Sequence, residues 1–294
     1  MLASESRIAH REVSGAPGPL ASLKEAVREI TSRRRLIRYL VTAEMKKRGS
    51  DTLLGNLWWI LDPLLQMVVY VVFISIIARR PAPDYPLFIF AAILPWKWYQ
   101  AVITDATTTV IRQEKLIKQI AFPKLVLPVA TVTAGVVGFA WGLIPLLAII
   151  ALHPQRLSLM LLWLPLIAAV QYVFTLASAI LVSAANVFFR DLGNAVGHAL
   201  RLWWFMSPGL YSLDALKNAT VVQNNPIIGV LAGFNPFSVL FEAYRAVIYG
   251  SSDGGPPHSP DLVSLAALLA GSVLFLVLCV MFFKRVEPDF AKVL

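Results

Sequence analysis

Six apolar runs divide this chain, at roughly Leu57 to Ala78, Leu87 to Val110, Leu125 to Leu152, Met160 to Asn186, Leu192 to Leu210 and Leu262 to Phe283. Each approaches or exceeds the roughly 20 residues that cross a hydrocarbon core as a helix. Between the second and third runs lies a charged segment, Ile111 to Pro123 (IRQEKLIKQIAFP), that keeps a helical period. Ile111, Leu116, Ile117 and Ile120 alternate there with Arg112, Glu114, Lys115 and Lys118. A membrane connection needs only a few polar residues, so an amphipathic helix in this place is predicted to be gripped by a soluble motor. The plainer alternative is an interfacial helix with no partner.

Ahead of the first run the pattern changes twice. Residues 1–20, with Gly15, Pro17, Gly18 and Pro19, read as a mobile arm. Residues 21–56 read as an amphipathic cytoplasmic region whose helix begins at Ser22, capped through Glu25 three residues on. Leu36, Ile37, Leu40, Val41 and Met45 face one way and Arg35, Arg38, Thr42 and Lys46 another, which suits a helix on the membrane surface. Residues 57–294 form the membrane domain with a short C-terminal tail.

Two stretches depart from a simple apolar span. The second run carries Pro95, Lys97, Gln100, Thr104, Asp105, Thr107, Thr108 and Thr109, a polar load that must face other helices or an aqueous path. Lys97, among Trp96, Trp98 and Tyr99, is expected to snorkel from an aromatic belt at the outer interface. Between Tyr211 and Gly255, two stretches too short to span, 227–234 and 237–248, each follow an Asn-Pro pair: Asn225-Pro226 and Asn235-Pro236. They are predicted to be re-entrant or interfacial, either capping the outer mouth of a path or tucked against the bundle.

Composition agrees with the pattern. With 57% apolar residues and 15% charged, the chain is far from the roughly 25% charged residues of a soluble domain. The net charge of +9 is a topology signal here and not a nucleic-acid footprint. Arg33, Arg34, Arg35, Arg38, Lys46, Lys47, Arg48, Arg112, Lys115, Lys118, Lys124, Arg190, Lys284, Arg285 and Lys292 all fall on one side, taken as cytoplasmic. Arg79, Arg80, Arg156, Lys217 and Arg245 fall on the other. Both termini are therefore expected inside. The single cysteine, Cys279, allows no disulfide within the chain. No phosphate loop occurs, the four histidines lack metal-ligand spacing, and no Asp-x-Asp is present, so no catalytic or metal residue is assigned.

At this point several motifs agree with one family. LLGNLWWILDPLL (53–65), IKQIAFPKLVLPV (117–129), NVFFRDLGNAV (186–196), SPGLYSL (207–213), NPFSVLFEAYR (235–245) and the C-terminal FKRVEPDFAKVL together resemble the permease subunit of ABC transporters that export polysaccharides. O-antigen, teichoic acid and actinobacterial galactan exporters are the members it looks most like. The stretch 47–51 departs from the family's denser basic run. The resemblance implies an all-α integral membrane protein with six transmembrane helices, an interface helix, a coupling helix between spans 2 and 3, and external re-entrant helices between spans 5 and 6.

It also implies a bacterial inner-membrane homodimer joined to a separate cytoplasmic ATPase that binds ATP and Mg, with no cofactor on this chain. The cargo would be a polysaccharide carried on a polyprenyl-diphosphate lipid. Arg112, Gln113, Glu114, Lys115, Leu116, Ile117 and Lys118 would dock on the ATPase. Asn225, Pro226, Asn235, Pro236, Glu242 and Arg245 would belong to the external gate helices. Trp58, Trp59, Trp203, Trp204, Phe205 and Tyr211 are candidates for a glycan path, because aromatic faces stack on sugar C–H faces; interfacial aromatics are the alternative. Arg190 and Asp191 would pair locally, meet a second subunit, or hold the lipid diphosphate near a helix N-terminus. Two other readings stay open: a membrane-embedded enzyme of lipid-linked glycan assembly, and a non-transporting anchor for a cytoplasmic partner.

Overall fold

The computed structural model describes residues 19–49, 54–78, 84–120, 122–217, 222–223, 225–251 and 255–294. Most of the expected arm and the stretch 50–53 lie outside them, as do Arg79 and Arg80. The described chain is helical throughout. Helices α1 (Pro19–Ser32) and α2 (Arg34–Gly49) precede α3 (Trp58–Ala78), α4 (Tyr85–Arg112) and the short α5 (Glu114–Gln119). Then come α6 (Val126–Ala151), α7 (Leu164–Phe188), α8 (Leu192–Met206), α9 (Leu213–Lys217), α10 (Pro226–Phe234), α11 (Pro236–Ile248), α12 (Leu262–Val286) and α13 (Phe290–Val293). The first helix is already formed at Pro19, so Ser22 is not its cap; proline is at home in a first helical turn.

Among the described residues five helices are long and apolar enough to cross a membrane: α3, α4, α6, the segment Leu159–Phe188 that contains α7, and α12 with its tail. The predicted run Leu192 to Leu210 is shorter than expected. α8 has 15 residues, about 22 Å of rise against a hydrocarbon core of about 30 Å, and it stops at Met206 ahead of Pro208 and Gly209. Even so, the chain here travels the length of the bundle. It starts just after Val187, which shares the smaller core with Ile117 of α5, and the Leu210 carbonyl accepts from the Tyr85 hydroxyl at the opposite end of α4 (3.1 Å).

α4 is the axis of the fold. Its apolar stretch is 78% buried, against 6% for α3, which lies on the outside of the bundle. Burial explains how a polar helix survives here: the hydroxyls of Thr104 and Thr107 donate to carbonyls one turn back. Thr109 pairs with Thr131 of α6 at 3.1 Å. Gln171 of α7, fully buried, donates to the Pro95 carbonyl at 2.8 Å. An aromatic cluster of Trp96, Tyr99, Phe174, Trp203, Trp204, Phe237 and Phe241 fills the space between α4, α7, α8 and α11.

A second, smaller core closes the end that carries α5. Val110, Ile117, Leu125, Val187, Phe283 and Phe290 meet there with Ala26 of α1. Charge ties the same end together. Lys284 pairs with Glu29 of α1 and with Glu287 (3.2 Å), and Glu287 accepts from the Lys124 backbone N–H at 2.7 Å. The N-terminal helix, the C-terminal tail and the lead into α6 thus share one node. α2 packs against α6 and so is not an isolated surface helix.

At the opposite end Arg156 is buried and does structural work. It donates to the carbonyls of Tyr249 and Gly255 (2.6 Å each) and to Asp84 (3.2 Å), over the Tyr249 ring. Gly250 makes this loop possible, with φ of +95° and the position of a Cβ only 2.3 Å from the Gly255 carbonyl. Gly250→Ala is therefore expected to lower the melting temperature in detergent, because strain and a backbone clash coincide. An unchanged melting curve would contradict that.

Candidate functional site

The charged connection becomes helical as its period predicts, with a break. α4 runs to Arg112, Gln113 interrupts, and α5 starts at Glu114. Ile117 is its inward anchor, buried in the smaller core. Arg112, Lys115, Lys118, Gln119 and Ile120 face outward, so the solvent side of this segment is basic. Glu114 and Lys118 pair at 2.7 Å one turn apart. That hydrogen bond and charge hold the Glu114 carboxyl below its usual range, with Arg190 adding to the effect. Arg190 and Asp191, both exposed, lie at the turn from α7 into α8, with Arg190 within reach of the Glu114 charge.

The six aromatic residues proposed for a glycan path do not form one surface. Trp203 and Trp204 belong to the buried aromatic cluster, and Trp204 stacks on Tyr70 of α3 at 5.8 Å. Phe205, next in sequence, points outward. Tyr211 is half-buried and its carbonyl accepts from Arg245. Only Trp58 and Trp59 face a common space, a cavity of about 560 Å³ between α3, α4 and α6. Trp59 presses on Gly138, where a Cβ would come within 2.1 Å of its ring.

Lys97 opens on this same cavity and corrects the expectation for it. It stands near the middle of α4 and pairs with Asp62 of α3 at 2.9 Å, so it does not snorkel to an outer belt. A mid-helix ammonium is held by a partner carboxylate because ionised groups at membrane depth are otherwise costly.

The two Asn-Pro helices differ from each other. α10, opened by Asn225 and Pro226, turns an apolar face outward, with Phe234 84% exposed. α11, opened by Asn235 and Pro236, is interior. Asn235 caps it through the Phe237 N–H (3.0 Å), accepts from the Trp203 indole (3.1 Å) and donates to Ser207 (2.8 Å). Arg245, 2% exposed, reaches back to the carbonyls of Pro208, Gly209 and Tyr211 at 2.7, 2.6 and 3.1 Å, with its guanidinium 3.8 Å over Phe88. Glu242 accepts from the Leu213 N–H and lies 3.6 Å from Arg245. These residues lock the break after α8.

One feature escaped the sequence reading. Asn194, His198 and Arg201 are exposed at positions i, i+4 and i+7 of α8, in line with Arg190 at its foot. The signal was present as a polar stripe inside an apolar run. A polar stripe on a helix of so apolar a bundle calls for water or a second protein surface beside it.

Comparison with known proteins decides the family. A protein of Myxococcus xanthus named "O-antigen export system permease protein RfbA" is 31% identical over 267 residues, covering 90% of this chain and 98% of its own length. The chain belongs to the permeases of polysaccharide-exporting ABC transporters. Two Klebsiella pneumoniae proteins of the same name are each 28% identical over 220 residues, covering 73% of this permease and 85% of their own length. No family model matches the permease. It is a multi-pass membrane protein, and its relatives are named as transport subunits and not as enzymes.

Proposed function

We propose that this permease moves a polyprenyl-diphosphate-linked polysaccharide from the cytoplasmic to the external side of a bacterial inner membrane. Two copies form the path, and two copies of a cytoplasmic ATPase, which bind ATP and Mg, drive it. The names of the relatives favour an O-antigen-type cargo over galactan. In this reading α8 and the turn after it make a sixth crossing, both termini are cytoplasmic, and the α8 stripe borders the aqueous path. The α7 and α12 C-termini meet in the core beside α5, which supports an even number of crossings.

The observation that carries the reading is α5. Ile117 plants it in the bundle while Lys115 and Lys118 lie on its exposed side, Lys118 paired with Glu114. A helix with a buried root and a basic free side transmits a rigid-body push, which a flexible loop would absorb. The test reverses charge without touching the root. Lys115→Glu with Lys118→Glu is expected to lose copurification of the neighbouring ATPase and to stop export while the permease still inserts and folds. Export at the wild-type rate would reject docking at α5, and a wild-type chain that copurifies with no ATPase would reject the transporter reading.

A further inference from the structure

We infer that the corner between α1 and α2 is a binding site for one anionic phospholipid, gripped at its phosphate by Arg34 and Arg38. The inference goes beyond the transport reading and does not depend on the cargo.

The two helices follow each other almost without a break. The Arg33 N–H donates to the Glu29 carbonyl at 3.1 Å and the Ile37 N–H to the Arg33 carbonyl at 3.0 Å. Helical register therefore carries across the joint and brings Ile30, Arg34, Ile37 and Arg38 to one side, at i, i+4, i+7 and i+8. With Thr31 they line a groove of about 360 Å³, within the roughly 300–1,000 Å³ of small-molecule sites. Its wall is mixed: Ile30 and Ile37 are half-buried, while Arg34 and Arg38 are exposed.

Charge selects the ligand first. Arg34 and Arg38 stand one turn apart, a spacing at which like charges destabilise a helix. Among the described residues neither guanidinium has a hydrogen bond or an ion pair. Glu29, the nearest carboxylate in sequence, is committed to Lys284. An anion between the two arginines relieves their repulsion. Every basic residue between positions 28 and 38 is an arginine, and a planar guanidinium pairs with two phosphate oxygens at once where an ammonium cannot.

Place and shape select next. The 25 residues of α12 rise about 37 Å, more than a hydrocarbon core of about 30 Å, so its last turn with Lys284 and Arg285 stands at the lipid headgroups. The Glu29–Lys284 pair holds α1 against that turn, which puts the groove at the same level. A free phosphate would satisfy the arginines and leave Ile30 and Ile37 wet. A phospholipid gives its phosphodiester to the arginines and its glycerol and first acyl carbons to the isoleucines. A choline or ethanolamine headgroup would bring a second cation to a groove that holds no carboxylate, so the anionic lipid is selected.

The test titrates the full permease, purified in detergent, with dioleoylphosphatidylglycerol and reads bound lipid by native mass spectrometry. One lipid per chain is expected, bound roughly ten times more tightly than dioleoylphosphatidylcholine. Arg34→Gln combined with Arg38→Gln is expected to weaken it roughly thirtyfold, and Arg38→Gln alone roughly fivefold. Arg28→Gln combined with Arg35→Gln makes the same change of charge outside the groove and should cost less than about threefold. If the Arg34 and Arg38 pair cannot be recovered folded, Arg38→Gln alone and Arg34→Lys, which keeps the charge and removes the fork, carry the comparison.

Equal losses from the two pairs would reduce the site to a diffuse basic surface and overturn it. Equal affinity for phosphatidylcholine would do the same, and so would displacement of the lipid by millimolar inorganic phosphate. Loss of a copurifying ATPase from the Arg34 and Arg38 variant with its lipid affinity unchanged would assign the groove to a protein and likewise reject the lipid. None of these outcomes bears on export, which the α5 variants test separately.

Discussion

Arg245→Ala is expected to cost about 3–5 kcal/mol of stability, enough to remove most folded protein from detergent extracts. The guanidinium is 2% exposed and bonds three carbonyls of the non-helical turn Pro208–Tyr211. Nε lies 3.4 Å from a fourth, on Phe88 of α4. Those carbonyls need a side-chain donor because α8 ends at Met206, and among the described residues no backbone N–H is recorded as donating to them. Removing the side chain leaves buried acceptors without donors, each at a cost of about 1–3 kcal/mol. It also leaves a void beside the Phe88 ring. Arg245→Lys should not rescue, since an ammonium cannot present a planar fork to three carbonyls at once. Fluorescence-detected size exclusion after a heat ramp measures both variants, and a lysine variant that melts like the wild type would refute the clamp.

The same residue illustrates what could be read from the chain and what could not. Helix existence along the membrane runs was legible because apolar length is a local property, and so was the burial of α4, whose threonines had to face protein or water. The stop in α8 was legible too in principle, since Pro208 disfavours helix in the residue before it. The apolar run from Leu192 to Leu210 continues across that stop and hides it. Arg245 gave no such local sign. Its partners lie 34–37 residues upstream in α8's turn and 157 upstream in α4, and sequence pattern does not encode pairings at that range.

Lys97 failed for the same reason, its neighbours Trp96 and Trp98 suggesting an interface while Asp62 decided the matter from another helix. The aromatic group is divided between surfaces for a different one. Adjacent residues on a helix point about 100° apart, and here Trp204 turns into the bundle while Phe205 turns outward. The Asn-Pro helices looked alike, yet one is buried and one is not, because only the second carries a side chain that neighbouring backbone needs.

Ile117→Ala is expected to separate ATP hydrolysis from export. A six-residue helix has no stability of its own, since isolated helices shorter than about 12–15 residues are marginal in water. α5 is helical because Ile117 is 6% exposed in the smaller core, with Leu125, Val187, Phe283 and Phe290. Truncating a buried isoleucine to alanine typically costs about 2–5 kcal/mol, comparable to everything that holds so short an element in place. The loss stays local, because the larger aromatic core around α4 does not include Ile117. The bundle should therefore fold, and Lys115 and Lys118 should still meet the ATPase, but through a segment that yields under load. On the proposed reading, hydrolysis continues in the purified complex while export in cells falls roughly tenfold. Ile117→Leu, which keeps volume, should restore export. Amide exchange across Glu114–Gln119 checks the cause independently: if exchange there accelerates in Ile117→Ala while export stays at the wild-type rate, a rigid α5 is not how this permease receives its energy.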